Sequence, residues 1–314
     1  MSRNRIRIAI TYIAYPVAMA RYFHEALLRR KDVQVWSACP YSGRSIPWTR
    51  PGDPPGMHLP DKYLLRPSKS LPMTSPPMVS YRMLEKEMPW PVDLWIEFNA
   101  LMTAVGKPEG APLAMVLTDP HVLGDFYKDQ RSRADFIFNM QSPYLSEGDV
   151  WLPYGYSPQW HRQTRIPFAN REYDSALIGL NYPWRTKLVE RMRAEGLNVF
   201  YDIGPAYDDA EAIYHNTKVG FNWSSKQDTT ARCFELMAFG IPAVMNRVPD
   251  LMSMFKDGQD FLGFDTEEEA VALIKGLVAD PERAENIGAA GRRAVEPHTW
   301  DARVESILKH VRLI

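Results

Sequence analysis

Short apolar runs alternate with helically spaced segments along most of the chain, and this restricts the possible folds more than any other feature. Arg5-Ile6-Arg7-Ile8-Ala9-Ile10-Thr11 reads as a strand, residues 17–30 as a helix with Val17, Ala20, Phe23 and Leu27 on one side, and Val33-Gln34-Val35-Trp36 as the next strand. Strand, helix and strand within about thirty residues form a βαβ unit, which implies a parallel sheet. Further core strands are expected at 93–98, 113–118 and 136–139. A second series follows, with strands at 175–179, 198–201, 218–222 and 243–246 and helices near 184–195, 208–215 and 230–239. Helices at 267–279, 280–294 and 300–311 close the chain. The fold class is therefore α/β, with two consecutive Rossmann-like parallel sheets.

A chain of 314 residues suits two such domains. The linker falls near 166–171. Expected units are an N-terminal domain at 1–168, a second at 169–298, and a final helix at 299–314 packing back on the first. Residues 40–79 interrupt the pattern with Pro47, Pro51, Pro54, Pro55, Pro60, Pro67, Pro72, Pro76 and Pro77 and read as a long irregular loop.

No run approaches the roughly 20 apolar residues that cross a bilayer, and the N-terminus lacks the apolar core of a secretory signal. Cys39 and Cys233 stand far apart, which excludes a disulfide framework or a cysteine zinc site and fits a reducing, cytoplasmic setting. The net charge of −1 conceals an uneven distribution, because residues 1–90 hold 14 Lys and Arg against 6 Asp and Glu. Such asymmetry points either to an anionic partner or to a solvated basic surface. The first βα turn, Thr11-Tyr12-Ile13-Ala14-Tyr15-Pro16, has no glycine, so a dinucleotide fingerprint is absent there, and no Walker A sequence occurs.

In two open α/β sheets, ligands sit outside the carboxyl ends of the strands, here in a cleft between the domains. The segment Thr229-Thr230-Ala231-Arg232-Cys233-Phe234-Glu235-Leu236-Met237-Ala238-Phe239-Gly240-Ile241-Pro242 carries the strongest signal. Thr230 is placed to cap the helix, and Gly240 with Pro242 ends it. Arg232 in the first turn opposes the positive helix end unless an anion is bound. Glu235, one turn on, is suited to ribose hydroxyls; a plain surface Arg–Glu pair is the alternative. Gly179-Leu180-Asn181-Tyr182-Pro183-Trp184-Arg185-Thr186-Lys187 repeats the pattern, with Gly179 ending a strand, Asn181 able to cap, and Arg185 and Lys187 at a helix start. Gly204 follows the next strand, and Asn222 and Ser224 end the one before the Arg232 helix. In the first half, Asp119 and His121 end a buried strand, where one of them would serve as general base toward an acceptor hydroxyl. Asp119 before Pro120 is equally a turn former.

Arg232-x-x-Glu235-x-x-Ala238-x-Gly240-x-Pro242, followed by Leu251, Phe255, Gly258 and Pro297-His298-Thr299-Trp300, resembles the C-terminal domain of group-1-type glycosyltransferases, closest to the spore-maturation (CgeB-like) branch. The likeness covers about 175–310. It implies a GT-B fold, a nucleotide-diphosphate sugar donor, no bound cofactor and no required metal, with Glu235 on the donor ribose and the phosphates near Gly179 to Lys187. Many retaining members carry a second glutamate eight positions earlier, where this chain has Gln227. The acceptor is open: a glycan, a small molecule or a hydroxymethylated base in DNA, the last suggested by the basic first segment with Trp48, Tyr63 and Tyr81. A sugar-nucleotide binder without activity is the non-enzymatic alternative.

Overall fold

Every strand pair is parallel, as expected where helical crossovers cover both faces of a sheet. The computed structural model describes residues 5–15, 17–43, 59–74, 77–98, 104–224 and 226–314. Pro16, Pro47, Trp48, Pro51, Pro54, Pro55, Pro76 and Ser225 lie outside them.

By internal contacts the chain divides into one unit of Met1–Pro153 with Trp300–Ile314 and another of Tyr154–Thr299. In the first, β1 (Ile6–Thr11), α1 (Ala20–Arg29), β2 (Val33–Pro40), β3 (Lys69–Leu71), α2 (Tyr81–Glu87), β4 (Leu94–Phe98), β5 (Leu113–Leu117), α3 (Pro120–Lys128), β6 (Phe136–Asn139) and β7 (Val150–Trp151) build a sheet of order β3-β2-β1-β4-β5-β6-β7. β4 and β5 are buried along their whole length, and Trp95 sits edge-on to both Trp36 and Tyr81 beneath them.

The second unit contains β8 (Tyr173–Ile178), α4 (Pro183–Ala194), β9 (Val199–Asp202), α5 (Asp208–His215), β10 (Thr217–Asn222), α6 (Ala231–Ala238), β11 (Ala243–Asn246), α7 (Pro249–Met254), β12 (Leu262–Phe264), α8 (Glu267–Ala279) and α9 (Pro281–Val295). Its sheet runs β12-β11-β10-β8-β9. Leu177, Phe221 and Val244 from the strands and Leu188, Ile274 and Leu277 from the helices form its core. The last helix, α10 (Trp300–His310), lies on α1 of the first unit. There buried Trp300 meets Phe23 at 5.1 Å between ring centres, and Asp301 pairs with Arg29 at 2.7 Å.

Two expectations need correction. The boundary falls between Pro153 and Tyr154 rather than at 168/169, because residues 154–168 are tied to the second unit. Tyr156 N–H donates to His298 O at 3.0 Å, Thr164 N–H to Phe239 O at 2.9 Å, and Arg162 Nε to Glu211 at 2.7 Å. The proline-rich stretch is also not wholly irregular, since β3 pairs with β2 through Ala38 and Lys69. Three residues between Pro67 and Pro72 are too few to display an alternating pattern, and prolines tolerate only such an edge position. Among the described basic residues of 1–90, Arg7 and Arg29 pair with Asp93 and Asp301 from outside the segment, while Arg21, Arg30 and Lys69 pair with carboxylates inside it and leave its surplus unchanged.

α9 sits close against the turn that ends α6. A Cβ on Gly288 would lie 2.6 Å from Gly240 O and 3.1 Å from Ile241 C, both backbone atoms with little room to yield. Gly288→Ala is expected to destabilise the protein by about 1–3 kcal/mol, read as a lower urea midpoint. Gly276→Ala on α8, where a Cβ meets nothing within 4 Å, should be neutral or stabilising by up to about 1 kcal/mol.

Candidate functional site

In the second sheet β8 lies between β9 and β10: the chain goes from β8 to β9 on one side and then crosses over to β10 on the other, so the strand order reverses between β8 and β10. A crevice at the carboxyl ends of such a strand pair is where open α/β sheets hold ligands. Gly179 directly follows β8 and Asn222 ends β10, and the helices entered from these strands are α4 and α6.

Two guanidinium groups converge there. A Cβ on Gly179 would stand 2.6 Å from Arg232 Nη1 and 3.4 Å from Arg185 Nη1, so only glycine leaves both side chains in place. Arg185 is 6% exposed; its Nε donates to Trp223 O at 2.8 Å, and its charge lies over the Tyr182 ring at 4.9 Å. Burial, and then the neighbouring Arg232, push its pKa down to about 10. Arg232 Nε is buried with no hydrogen-bond partner among the described residues, its nearest carboxylate being Glu235 Oε2 at 4.0 Å. Asn222 Oδ1 and Trp184 Nε1 are likewise buried and unsatisfied. Orphaned polar atoms are uncommon in folded proteins, and Arg232 Nε and Asn222 Oδ1 at these strand ends mark a place suited to a missing partner.

The helix ends agree. α8 and α9 carry side-chain caps from Thr266 and Asp280, and acids in their first turns. α4 and α6 have neither, which leaves their N–H groups and positive dipole ends open to an anion.

The sequence-derived candidates divide on inspection. Gly179, Arg185, Arg232 and Glu235 come together. Asn222 stands at the end of β10, its amide nitrogen 3.7 Å from Cys233 Sγ. Thr230 is the N-cap residue of α6 but makes no cap bond; its hydroxyl faces Cys233 Sγ at 3.8 Å. Lys187 leaves the group and pairs with Glu267 at 3.1 Å, since two residues of helix turn it about 200° from Arg185. Asn181 is exposed and does not cap; Tyr182 occupies that position. Ser224 is consumed by Asn246, which accepts its N–H at 2.8 Å and lies 3.2 Å from its hydroxyl. Gly204 donates its N–H to Asp202 at 3.3 Å, and nothing crowds its α-carbon enough to require glycine. In the first unit Asp119 begins α3 exposed and accepts the Thr118 hydroxyl at 3.1 Å. Burial, followed by the Asp119 charge, raises Tyr15 to about 12. His121 is tilted against Tyr144 at 6.2 Å.

Three features escaped the sequence. His161, 7% exposed, brings Nε2 to 3.6 Å from Glu235 Oε1. Buried Tyr214 accepts the Ile178 N–H at 3.1 Å, beside Arg232 and Glu235. In the β10–α6 loop Gln227 is exposed at φ +58°, while the next residue, Asp228, is buried and accepts Lys226 N–H at 2.9 Å. No periodicity marks any of them.

Residues 159–309 match the family model described as glycosyl transferase-like. This stretch, just under half of the chain, is a glycosyl transferase-like domain. The chain has no significant match among curated protein sequences. Its fold is that of solved GT-B enzymes. HepE of Anabaena, solved with UDP and glucose, superposes with a TM-score of 0.69 at 9% identity over 99% of this chain and 100% of that one. Sucrose-phosphate synthase of Thermosynechococcus elongatus gives 0.62 at 14% identity over 98% and 99%. An α-glucosyltransferase solved with UDP and a mismatched 13-mer DNA gives 0.65 at 11% identity over 98% and 100%.

The contact at Gly179 is open to test. Gly179→Ala forces the Arg232 guanidinium aside, a flexible side chain that moves at small cost in stability. Affinity of the protein for a nucleoside diphosphate should drop about tenfold, or about 1.4 kcal/mol, by calorimetry, with the melting temperature nearly unchanged.

Proposed function

We propose that the protein is a glycosyltransferase that takes a nucleoside-diphosphate sugar whose diphosphate is held by Arg185, Arg232 and the open N-termini of α4 and α6. Glu235 takes the ribose hydroxyls. The observation that carries this reading is the convergence of two cations on Gly179 with, among the described residues, no carboxylate in hydrogen-bond range of either. Like charges brought together in a half-buried site call for an anion, and a diphosphate matches guanidinium geometry.

As the bond from the anomeric carbon to the β-phosphate oxygen breaks, negative charge grows on the departing diphosphate. Arg185 and Arg232 stabilise it where it develops, in a site already oriented for it. On this reading these cations do what a divalent ion does in other transferases, so transfer proceeds without one. Asp119 and His121 are proposed on the acceptor side, one of them accepting the proton of the attacking hydroxyl. The spore-maturation branch is proposed on the Arg232-to-Pro242 motif, and a cytoplasmic setting on two unpaired, buried cysteines; among the described residues no helix is long and apolar enough to cross a membrane. Because HepE and the α-glucosyltransferase were solved with UDP, UDP is the first nucleotide to try.

A thermal-shift series with UDP, GDP, ADP and UDP-glucose should stabilise the protein with at least one of them. Arg232→Ala and Glu235→Ala should each weaken binding by about 10- to 100-fold, the range for hydrogen bonds to charged groups. EDTA should leave both the shift and slow donor hydrolysis unchanged. A protein indifferent to every nucleotide, or one whose hydrolysis stops with EDTA, contradicts the proposal.

A further inference from the structure

We infer that His161 is a positioning residue that holds the Glu235 carboxylate ready for the ribose of the donor. The inference rests on the donor-site reading above and adds a residue to it. Glu235 lies between two groups. Its Oε2 is 4.0 Å from Arg232 Nε, and its Oε1 is 3.6 Å from His161 Nε2. Neither distance is a hydrogen bond, so the carboxylate keeps its lone pairs for a ligand while a nitrogen faces each of its oxygens.

The histidine is itself fixed. Ser157 N–H donates to Nδ1 at 3.0 Å, and His161 N–H returns to Ser157 O at 2.9 Å. A ring nitrogen that accepts a backbone N–H carries no proton, so the ring hydrogen sits on Nε2, facing Glu235. Phe239 at the end of α6 lies edge-on to the ring at 5.5 Å. The imidazole therefore presents a donor to one carboxylate oxygen from a rigid turn preceding the sheet, while α6 supplies the carboxylate. Holding a binding group through its neighbours in this way lowers the ordering cost when ligand arrives. His161 would touch neither the diphosphate nor the reacting carbon, and acts only through Glu235.

The test compares UDP, ADP and GDP with their 2′,3′-dideoxy counterparts by calorimetry on the full chain. Wild type should prefer the ribonucleotide by about tenfold or more, as expected for hydrogen bonds to a carboxylate. His161→Phe keeps the ring but removes the donor, and should lower that preference to about twofold while leaving dideoxynucleotide affinity unchanged. His161→Gln places an amide N–H near the former Nε2 and should restore the preference. The inference is overturned if His161→Phe keeps the full preference, or if it weakens ribo- and dideoxynucleotides equally, which would indicate a disturbed fold. Wild type that binds without preference removes Glu235 from the ribose, and wild type that binds none of the six overturns the donor-site reading itself.

Discussion

Repulsion between Arg185 and Arg232 is the interaction around which the second unit is arranged. Their Nη1 atoms lie 2.6 and 3.4 Å from the point where a Gly179 Cβ would stand, and like charges this close oppose each other by roughly 3 kcal/mol at an effective dielectric near 20. The fold holds them there by several weaker means. Trp223 O accepts from Arg185, the Tyr182 ring faces its charge, and buried Asp228 adds a favourable field. None of these makes an ion pair with Arg232, whose Nε is left unsatisfied. A protein selected for stability alone would replace one of the two cations. Retaining both is understandable when a dianionic ligand spends time between them.

That arrangement is only as accurate as the placement of α6, which carries both Arg232 and Glu235. The helix is short, so its position comes from packing rather than intrinsic helicity. Phe234, Leu236 and Met237 are fully buried, and α9 presses on its end where Gly288 meets the Gly240 carbonyl. Residues 154–168 add a third support through the Thr164–Phe239 hydrogen bond. The same stretch brings in His161, so one segment both braces the helix and supplies the group beside Glu235.

The alternation of strands and helices was legible because parallel strands buried on both faces leave continuous apolar runs, as in 113–117 and 243–246. Arg232 and Arg185 were legible too, since a cation in a first helical turn contradicts the local dipole and thereby draws notice. Lys187 obeyed the same rule and still left the site, because charge near a helix start says nothing of which side of the helix faces the strand ends. Ser224 was lost to Asn246, a partner 22 residues away that no local pattern announces. His161 and Tyr214 belong to other turns and helices and meet Glu235 only once the chain is folded. β3 went unnoticed for a different reason, being a three-residue edge strand set between prolines.

Gln227 gains a different meaning in this light. Read by spacing from Glu235, it stands where retaining relatives carry a carboxylate. Yet it is exposed in a left-handed conformation, and the buried acid of the loop is its neighbour Asp228. Asp228 accepts the Lys226 N–H and favours the charged form of Arg185. In this chain the loop's carboxylate therefore serves the cation at the strand ends. Its negative charge favours the ionised form of Arg185, against the larger opposing effects of burial and Arg232.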